Sequence, residues 1–365
     1  MTSVLFEPTG IRGMVMRNRF VRSATWEGLA NPAGCATGEL ARLYAEFARG
    51  KVGLVISSHA FVSPEGRAGT QQLGAHDDSV MPGLARLASA VHEAEGKVAL
   101  QVAHAGLWAQ PLGPSVRQTE SGPVGREMSL GDIAVVAQAF AAAAGRAQAA
   151  GLDAVQIHAA HGYLLCEFLS PAFNHRTDAY GGDVAGRARL VVEVIAAVRA
   201  AVGPDYPVLI KVNSEDFIPG GLTVDQMLES ALLMVEAGVD AIELSGGTSL
   251  SGDLGPIRTR AGIPVEREAY YEEAARRLKQ TVKVPVVLVG GIRSLAAAET
   301  LVTSGCADCI ALSRPLIRDP HLIARWESGD RAPSACRSDN RCYYKGLKRE
   351  GMHCVHVAKA EEGDR

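Results

Sequence analysis

The sequence predicts a closed (β/α)8 barrel, and three observations carry that expectation. Eight short apolar, largely β-branched runs recur along the chain. Each is followed by a longer Ala-rich stretch of helical character. Several of those stretches end in glycine just before the next run.

The eight runs are Phe20–Ser23, Gly53–Ser57, Val98–Val102, Ala154–Ile157, Val208–Val212, Ala241–Leu244, Val286–Val289 and Cys309–Leu312. They are continuously apolar rather than alternating, as strands covered on both faces of a parallel sheet must be. The helical stretches are Gly38–Ala48, Met81–Glu95, Ile133–Ala150, Arg187–Ala201, Thr223–Ala237, Glu266–Thr281, Leu295–Ser304 and Pro320–Glu327. Gly50, Gly96, Gly151, Gly238 and Gly305 stand where a left-handed residue would close a helix. Eight such units suit a barrel. An open doubly wound sheet is the alternative, but no Gly-rich dinucleotide loop follows the first strand.

The bulk composition agrees. The 365 residues are 47% hydrophobic and 21% charged, which leaves ample material for a large core. Lys and Arg number 37 against 40 Asp and Glu, so no general basic field would draw in nucleic acid or an anionic membrane. No apolar run reaches the roughly 20 residues of a bilayer span, and the first ten residues lack a secretory pattern. The expectation is a cytoplasmic protein. The seven cysteines are scattered rather than framed for disulfides. Residues 1–330 are read as one barrel and 331–365 as a C-terminal extension ending in the polar run Lys359–Arg365, with no second domain. Residues 105–130 form a long loop of the kind that often serves function.

Barrel chemistry sits at the C-terminal ends of the strands, so the residues there are the candidates. Two imidazoles and a phenol, His158, His161 and Tyr163, leave the fourth strand together. Imidazole N–H groups can withdraw charge from a substrate oxygen, and a phenol can donate a proton where a carbanion develops. A pair of structural histidines, or a zinc site lacking an obvious third ligand, are the competing readings. Lys211 emerges from an otherwise apolar strand and needs an anionic or electron-rich partner. It could also be a Schiff-base nucleophile. Gly290-Gly291 after the seventh strand and Ser313-Arg314 after the eighth occupy the usual phosphate position of this fold.

Taken together, these residues resemble the Old Yellow Enzyme family of FMN-dependent NAD(P)H oxidoreductases. The likeness is to the branch that includes 2,4-dienoyl-CoA reductases and single-domain NADH:flavin oxidoreductases. It runs from Leu5-Phe6-Glu7-Pro8 to about Trp326 and is most specific over Gly151–His158, His161–Pro171, Asn174–Asp178 and Tyr180–Gly182. Gln101–Gly106 and Ala311–Pro315 support it.

The resemblance implies non-covalent FMN across the barrel mouth, with NADH or NADPH as electron donor and an α,β-unsaturated carbonyl as substrate. Ser23, Ala24 and Thr25 would line the flavin edge and Gln101 would hydrogen-bond its pyrimidine end. Lys211 would sit near N1 and O2. Gly290, Gly291, Ser313 and Arg314 would hold the phosphate. His158 and His161 would bind the substrate carbonyl or the nicotinamide, and Tyr163 would deliver the proton. Trp26, His104 and Trp108 would shape the substrate pocket, together with Leu250–Arg260. A homo-oligomer is the family habit.

Two features depart from the pattern. Trp26 stands where relatives often carry a small residue, and Gly28 replaces a Tyr of one branch. In the tail, dienoyl-CoA reductases carry four cluster-binding cysteines, whereas this chain has Cys336, Asp339, Cys342 and Cys354. Cluster ligation wants four thiolates, so the set is read as a degenerate remnant and an iron–sulfur cluster is not expected. Zinc through the three cysteines and His353 or His356 is the lesser alternative. Two other functions stay open: a Schiff-base lyase or aldolase using Lys211, and a flavin electron relay working with a partner.

Overall fold

A computed structural model describes residues 3–108, 112–258, 268–348 and 350–357. Eight parallel strands close on themselves: β1 Phe20–Arg22, β2 Leu54–Ile56, β3 Val98–Ala103, β4 Ala154–Ala159, β5 Val208–Asn213, β6 Ala241–Ser245, β7 Val286–Leu288 and β8 Cys309–Leu312. Each pairs with the next, and β8 pairs with β1, so the barrel leaves no edge. The expected (β/α)8 barrel is borne out.

The helices are α1 Gly38–Arg49, α2 Met81–Glu93, α3 Leu130–Ala149, α4 Leu164–Leu169, α5 Val184–Val202, α6 Val224–Glu236, α7 Glu272–Thr281, α8 Leu295–Thr303, α9 Arg314–Arg318, α10 Leu322–Glu327 and α11 Arg341–Leu347. Side-chain caps fix their starts. Thr37 caps α1, Asp183 caps α5 and Ser294 caps α8, while Ser129 with Asp132 and Thr223 with Gln226 form reciprocal capping boxes on α3 and α6. Helix α3 is long and apolar enough to cross a membrane by those measures alone, yet Ile133, Phe140, Ala143, Ala144 and Ala147 are buried inside the fold. Of the expected helix Glu266–Thr281, Glu266 and Arg267 lie outside the described residues, as do Thr259, Arg260 and the tail end from 358.

Three of the five glycines take the expected left-handed backbone, with φ of 84° at Gly151, 110° at Gly238 and 71° at Gly305. Gly50 does not. A Cβ there would stand 2.0 Å from the Pro320 carbonyl oxygen, so close approach rather than chirality requires glycine. The 105–130 segment carries short pairings, Leu112–Gly113 with Arg126–Glu127 and Arg117–Thr119 with Gly122–Val124.

The barrel interior follows from strand periodicity, since every second residue points the same way. At the N-terminal end the interior is apolar: Val21, Leu54, Ala99, Ala154, Leu209, Ala241, Val287 and Cys309 pack together. A hairpin of Thr9–Ile11 and Met14–Met16 closes that end by adding Ile11, Met14 and Met16 to the same cluster. Two residues further along, the same rows carry Ser23, Gln101, Gln156, Lys211 and Glu243, all buried. Two further again, β4 and β6 carry His158 and Ser245. The polar site is therefore the upper half of an interior whose lower half is hydrocarbon.

Candidate active site

A cavity of about 610 Å³ opens at the C-terminal ends of the strands. Ser23, Ala24, Thr25, Trp26, Gln101, Trp108, His158, His161, Tyr163, Lys211, Gly290, Gly291, Ser313 and Arg314 all line it. The ends of β1, β3, β4, β5, β7 and β8 thus bring these residues into one space. His104 is not among the lining residues. Its buried ring lies over Gly66, and its Nδ1 accepts the Gly106 N–H at 3.2 Å. The turn after β3 thus aims His104 away from the pocket that the sequence reading gave it.

On the floor, Lys211 Nζ donates to Ser23 Oγ at 2.8 Å and to Glu243 Oε1 at 3.0 Å. Ser23 Oγ donates to the same carboxylate oxygen at 2.5 Å. Gln156 Nε2 donates to Glu243 Oε2 at 2.8 Å, and Gln101 Nε2 donates to Gln156 Oε1 at 2.7 Å. The residues expected at one flavin edge are thus linked through two that sequence reasoning passed over, Glu243 and Gln156. The signal was present. A carboxylate inside the apolar run Ala241–Leu244 needs a partner for the same reason that singled out Lys211.

On one wall stand the imidazoles and the phenol. The His158 ring lies 5.2 Å from that of His161 and 4.7 Å from that of Tyr163. His161 Nε2 pairs with Ser245 Oγ at 2.8 Å. Burial, reinforced by Lys211 and the neighbouring imidazoles, pushes both histidines well below their ordinary pKa, so both are neutral. A sharp turn makes the cluster. His161 has φ of 66° and Gly162 of 79°, which swings Tyr163 back over β4. The Tyr163 hydroxyl meets His59 Nε2 at 3.1 Å. Desolvation lowers His59 to about 4 and raises Tyr163 above its usual value. His59, at the end of β2, is a further residue missing from the sequence-based site, although its position just past a strand marked it.

At the opposite end, Gly290 and Gly291 have φ of 130° and 74°. A Cβ on Gly291 would stand 2.5 Å from the Tyr270 ring, so this cradle admits only glycine. Ser313 Oγ lies 2.8 Å from Thr25 Oγ1. Arg314 Nη1 donates to the Arg258 carbonyl and to Asn340 Oδ1, both at 2.7 Å. Arg314 therefore ties the loop after β6 to the C-terminal segment.

That segment roofs the cavity. Cys342, Tyr343, Gly346 and Met352 line it, and Tyr343 packs on Trp26 with ring centroids 5.6 Å apart. A Cβ on Gly346 would meet the Trp26 indole at 2.9 Å. Trp26 is thus a packing surface for the tail as well as a wall of the pocket. Cys336, Cys342 and Cys354 are free thiols, and Asp339 is paired with His356 at 2.7 Å. Among the described residues no group of three or more His, Cys, Asp or Glu side chains is gathered as a metal site.

Residues 4–332 match the model of the NADH:flavin oxidoreductase / NADH oxidase family. The chain belongs to that family. It is 36% identical over 337 residues to an NADH oxidase of Thermoanaerobacter brockii, an alignment covering 89% of this chain and 51% of the relative. Its fold superposes with a TM-score of 0.88 on 2-naphthoyl-CoA reductase in complex with 2-naphthoyl-CoA, at 27% identity over 96% of this chain and 56% of that one. An old yellow enzyme homologue from Zymomonas mobilis matches with a TM-score of 0.77 at 26% identity, over 92% of this chain and 95% of the other. The chain spans about half the length of the first two and nearly all of the third, so the resemblance to Old Yellow Enzymes is borne out.

The family implies FMN and a nicotinamide donor, and the cavity fits FMN on its own terms. It offers a buried ammonium and the Gln101 amide at one end and a glycine cradle with an arginine at the other. The Tyr270 hydroxyl is buried beside that cradle with no hydrogen-bond partner among the described residues. Lys211, Gln101 and Ser23 would hold the isoalloxazine edge, and Gly290, Gly291, Ser313 and Arg314 the phosphate.

Proposed function

We propose that this protein uses FMN and NAD(P)H to reduce a C=C bond conjugated to a carbonyl group. The observation that carries the reading is the convergence of two neutral imidazoles and a phenol on one wall of the cavity that holds Lys211. Bound flavin supplies the hydride acceptor and donor. The protein's own residues do the rest. His158 and His161, uncharged, present N–H groups that bind a carbonyl oxygen and stabilise charge developing there. Tyr163, kept protonated by its surroundings, holds a proton beside the carbon next to that carbonyl. The tail, with Trp26, Tyr343 and Met352, covers part of the pocket. The same imidazoles would take the nicotinamide carboxamide, so donor and substrate would occupy the site in turn.

The Schiff-base reading loses support from the same geometry. Lys211 is ion-paired to Glu243 and bonded to Ser23, and an ion-paired ammonium is no nucleophile.

The test is a visible spectrum of the pure protein, repeated anaerobically after NADH or NADPH. A flavin band that bleaches with nicotinamide and returns on adding cyclohexenone is expected. A protein that takes up no FMN would sink the reading, and borohydride trapping at Lys211 would then replace it.

A further inference from the structure

We propose that Glu243 is a positioning residue that sets the hydrogen-bonding polarity and net charge presented to the flavin's pyrimidine edge. This rests on the flavin reading above and deepens it.

An ionised carboxylate only accepts hydrogen bonds. Glu243 is fully buried, at 0% exposure, and stands at the centre of the floor network. Its acceptor character therefore fixes the direction of every bond that reaches it. Gln156 must turn its NH2 toward Glu243 Oε2, which leaves Gln156 Oε1 as the acceptor for Gln101 Nε2. Gln101 is thereby turned so that its own carbonyl oxygen is the atom left for the cavity, an acceptor suited to the ring N–H of a flavin. On the other branch, the Ser23 proton is committed to Glu243, so Ser23 Oγ accepts from Lys211. Lys211 keeps a remaining N–H for the cavity, a donor suited to a carbonyl or an electron-rich ring nitrogen. One carboxylate thus arranges an acceptor at Gln101 and a donor at Lys211.

Charge follows as well. Lys211 and Glu243 are 3% and 0% exposed at the side chain and form a 3.0 Å ion pair. A lone buried ammonium would favour the extra negative charge that a flavin carries when reduced. Its pairing with Glu243 offsets that preference. Glu243 therefore holds the bound flavin at a lower potential than Lys211 alone would give.

The test uses the FMN-loaded enzyme and two variants. In Glu243→Gln the volume is kept, the negative charge is lost and the amide can donate as well as accept. Its midpoint potential, read spectroscopically against a redox dye, should rise. A tenfold gain in the preference for reduced over oxidised FMN corresponds to about 30 mV for a two-electron couple. In Gln156→Leu the Lys211–Glu243 pair is kept but Gln101 loses its orienting partner. Binding of oxidised FMN should weaken tenfold or more there while the potential stays near wild type. An unchanged or lowered potential in Glu243→Gln overturns the inference while leaving the flavin reading intact. If Glu243→Gln does not fold, unweakened FMN binding by Gln156→Leu overturns it instead. Wild-type protein that binds no FMN overturns the underlying reading, and this inference with it.

Discussion

Tyr163→Phe removes one oxygen and leaves the ring on His158, so it isolates the proton-donating role proposed for the hydroxyl. The hydroxyl's hydrogen-bond partner is His59 Nε2 at 3.1 Å. Losing that bond costs about 1 kcal/mol of stability, which a barrel of this size tolerates. The effect on chemistry should be larger. A positioned proton donor contributes roughly 10²–10⁴-fold, equivalent to about 3–5 kcal/mol in the barrier. In the proposed cycle that loss falls in one half. Taking hydride from NAD(P)H needs no proton from the phenol, whereas saturating the C=C bond does. Anaerobic stopped-flow at the flavin band separates the two. Bleaching by NADH or NADPH should stay within about twofold of wild type, and reoxidation by cyclohexenone should slow by two orders of magnitude or more. Equal slowing of both phases would mean that the substitution disturbed the pocket as a whole. An unslowed reoxidation would mean that the proton comes from elsewhere, and the assignment of Tyr163 would be wrong.

Other outcomes follow from the same geometry. Burial lowers His104 to about 4, so between that value and the usual 6.5 the unfolded chain binds more protons than the folded one. Stability should therefore fall as pH drops through that window, about 3 kcal/mol of it at pH 4 coming from His104, and His104→Asn should show a shallower slope than wild type in urea unfolding at pH 7 and pH 4.5, the buried His59, His158 and His161 keeping theirs. Gly291→Ala places a Cβ 2.5 Å from the Tyr270 ring at φ of 74°, and FMN binding measured by fluorescence should weaken at least tenfold with the barrel intact. Asn340 bonds both Arg314 and the Ile257 carbonyl, the latter at 2.9 Å. Asn340→Ala should free the roof, seen as faster proteolytic clipping near residues 338–352, and FMN should slow that clipping in wild type more than in the variant.

The fold was legible because parallel strands buried on both faces and capped helices each leave a local trace. Much of the site was legible by a second step. Once a barrel was inferred, every polar residue past a strand end became a candidate, and His158, His161, Tyr163, Lys211 and Arg314 do meet in one cavity. What stayed hidden depends on direction and distance. His104 and Gln101 sit three residues apart at the end of β3, and only the path of the turn sends one ring to Gly66 and leaves the other side chain in the pocket. Gly50 does close α1, but with an ordinary φ of -69°, and what requires glycine there is the contact with Pro320. Arg314 looked like a phosphate clamp alone. Its bonds to Arg258 and Asn340 join segments that are 82 positions apart, which no local pattern could report.

The interior of the barrel shows why its polar half exists. A barrel selected only for stability would continue the rows of Val21, Ala99, Ala154, Leu209 and Ala241 upward in hydrocarbon. The next residues on those rows are Ser23, Gln101, Gln156, Lys211 and Glu243. Burying an ion pair gains little, because the desolvation of both partners roughly offsets their attraction. Replacing the pair with apolar residues of similar volume, as in Lys211→Met with Glu243→Leu, should lower the thermal stability of protein stripped of FMN less than removing either partner alone, the remaining cost being the Ser23 hydroxyl and the Gln156 amide left without their acceptor. Removing one partner alone should be destabilising, because the other charge is left buried. If the double substitution proved far more damaging to the stripped protein than either single one, the network would be a structural device. If it spared the fold and abolished FMN binding, the polar floor would owe its presence to the ligand above it.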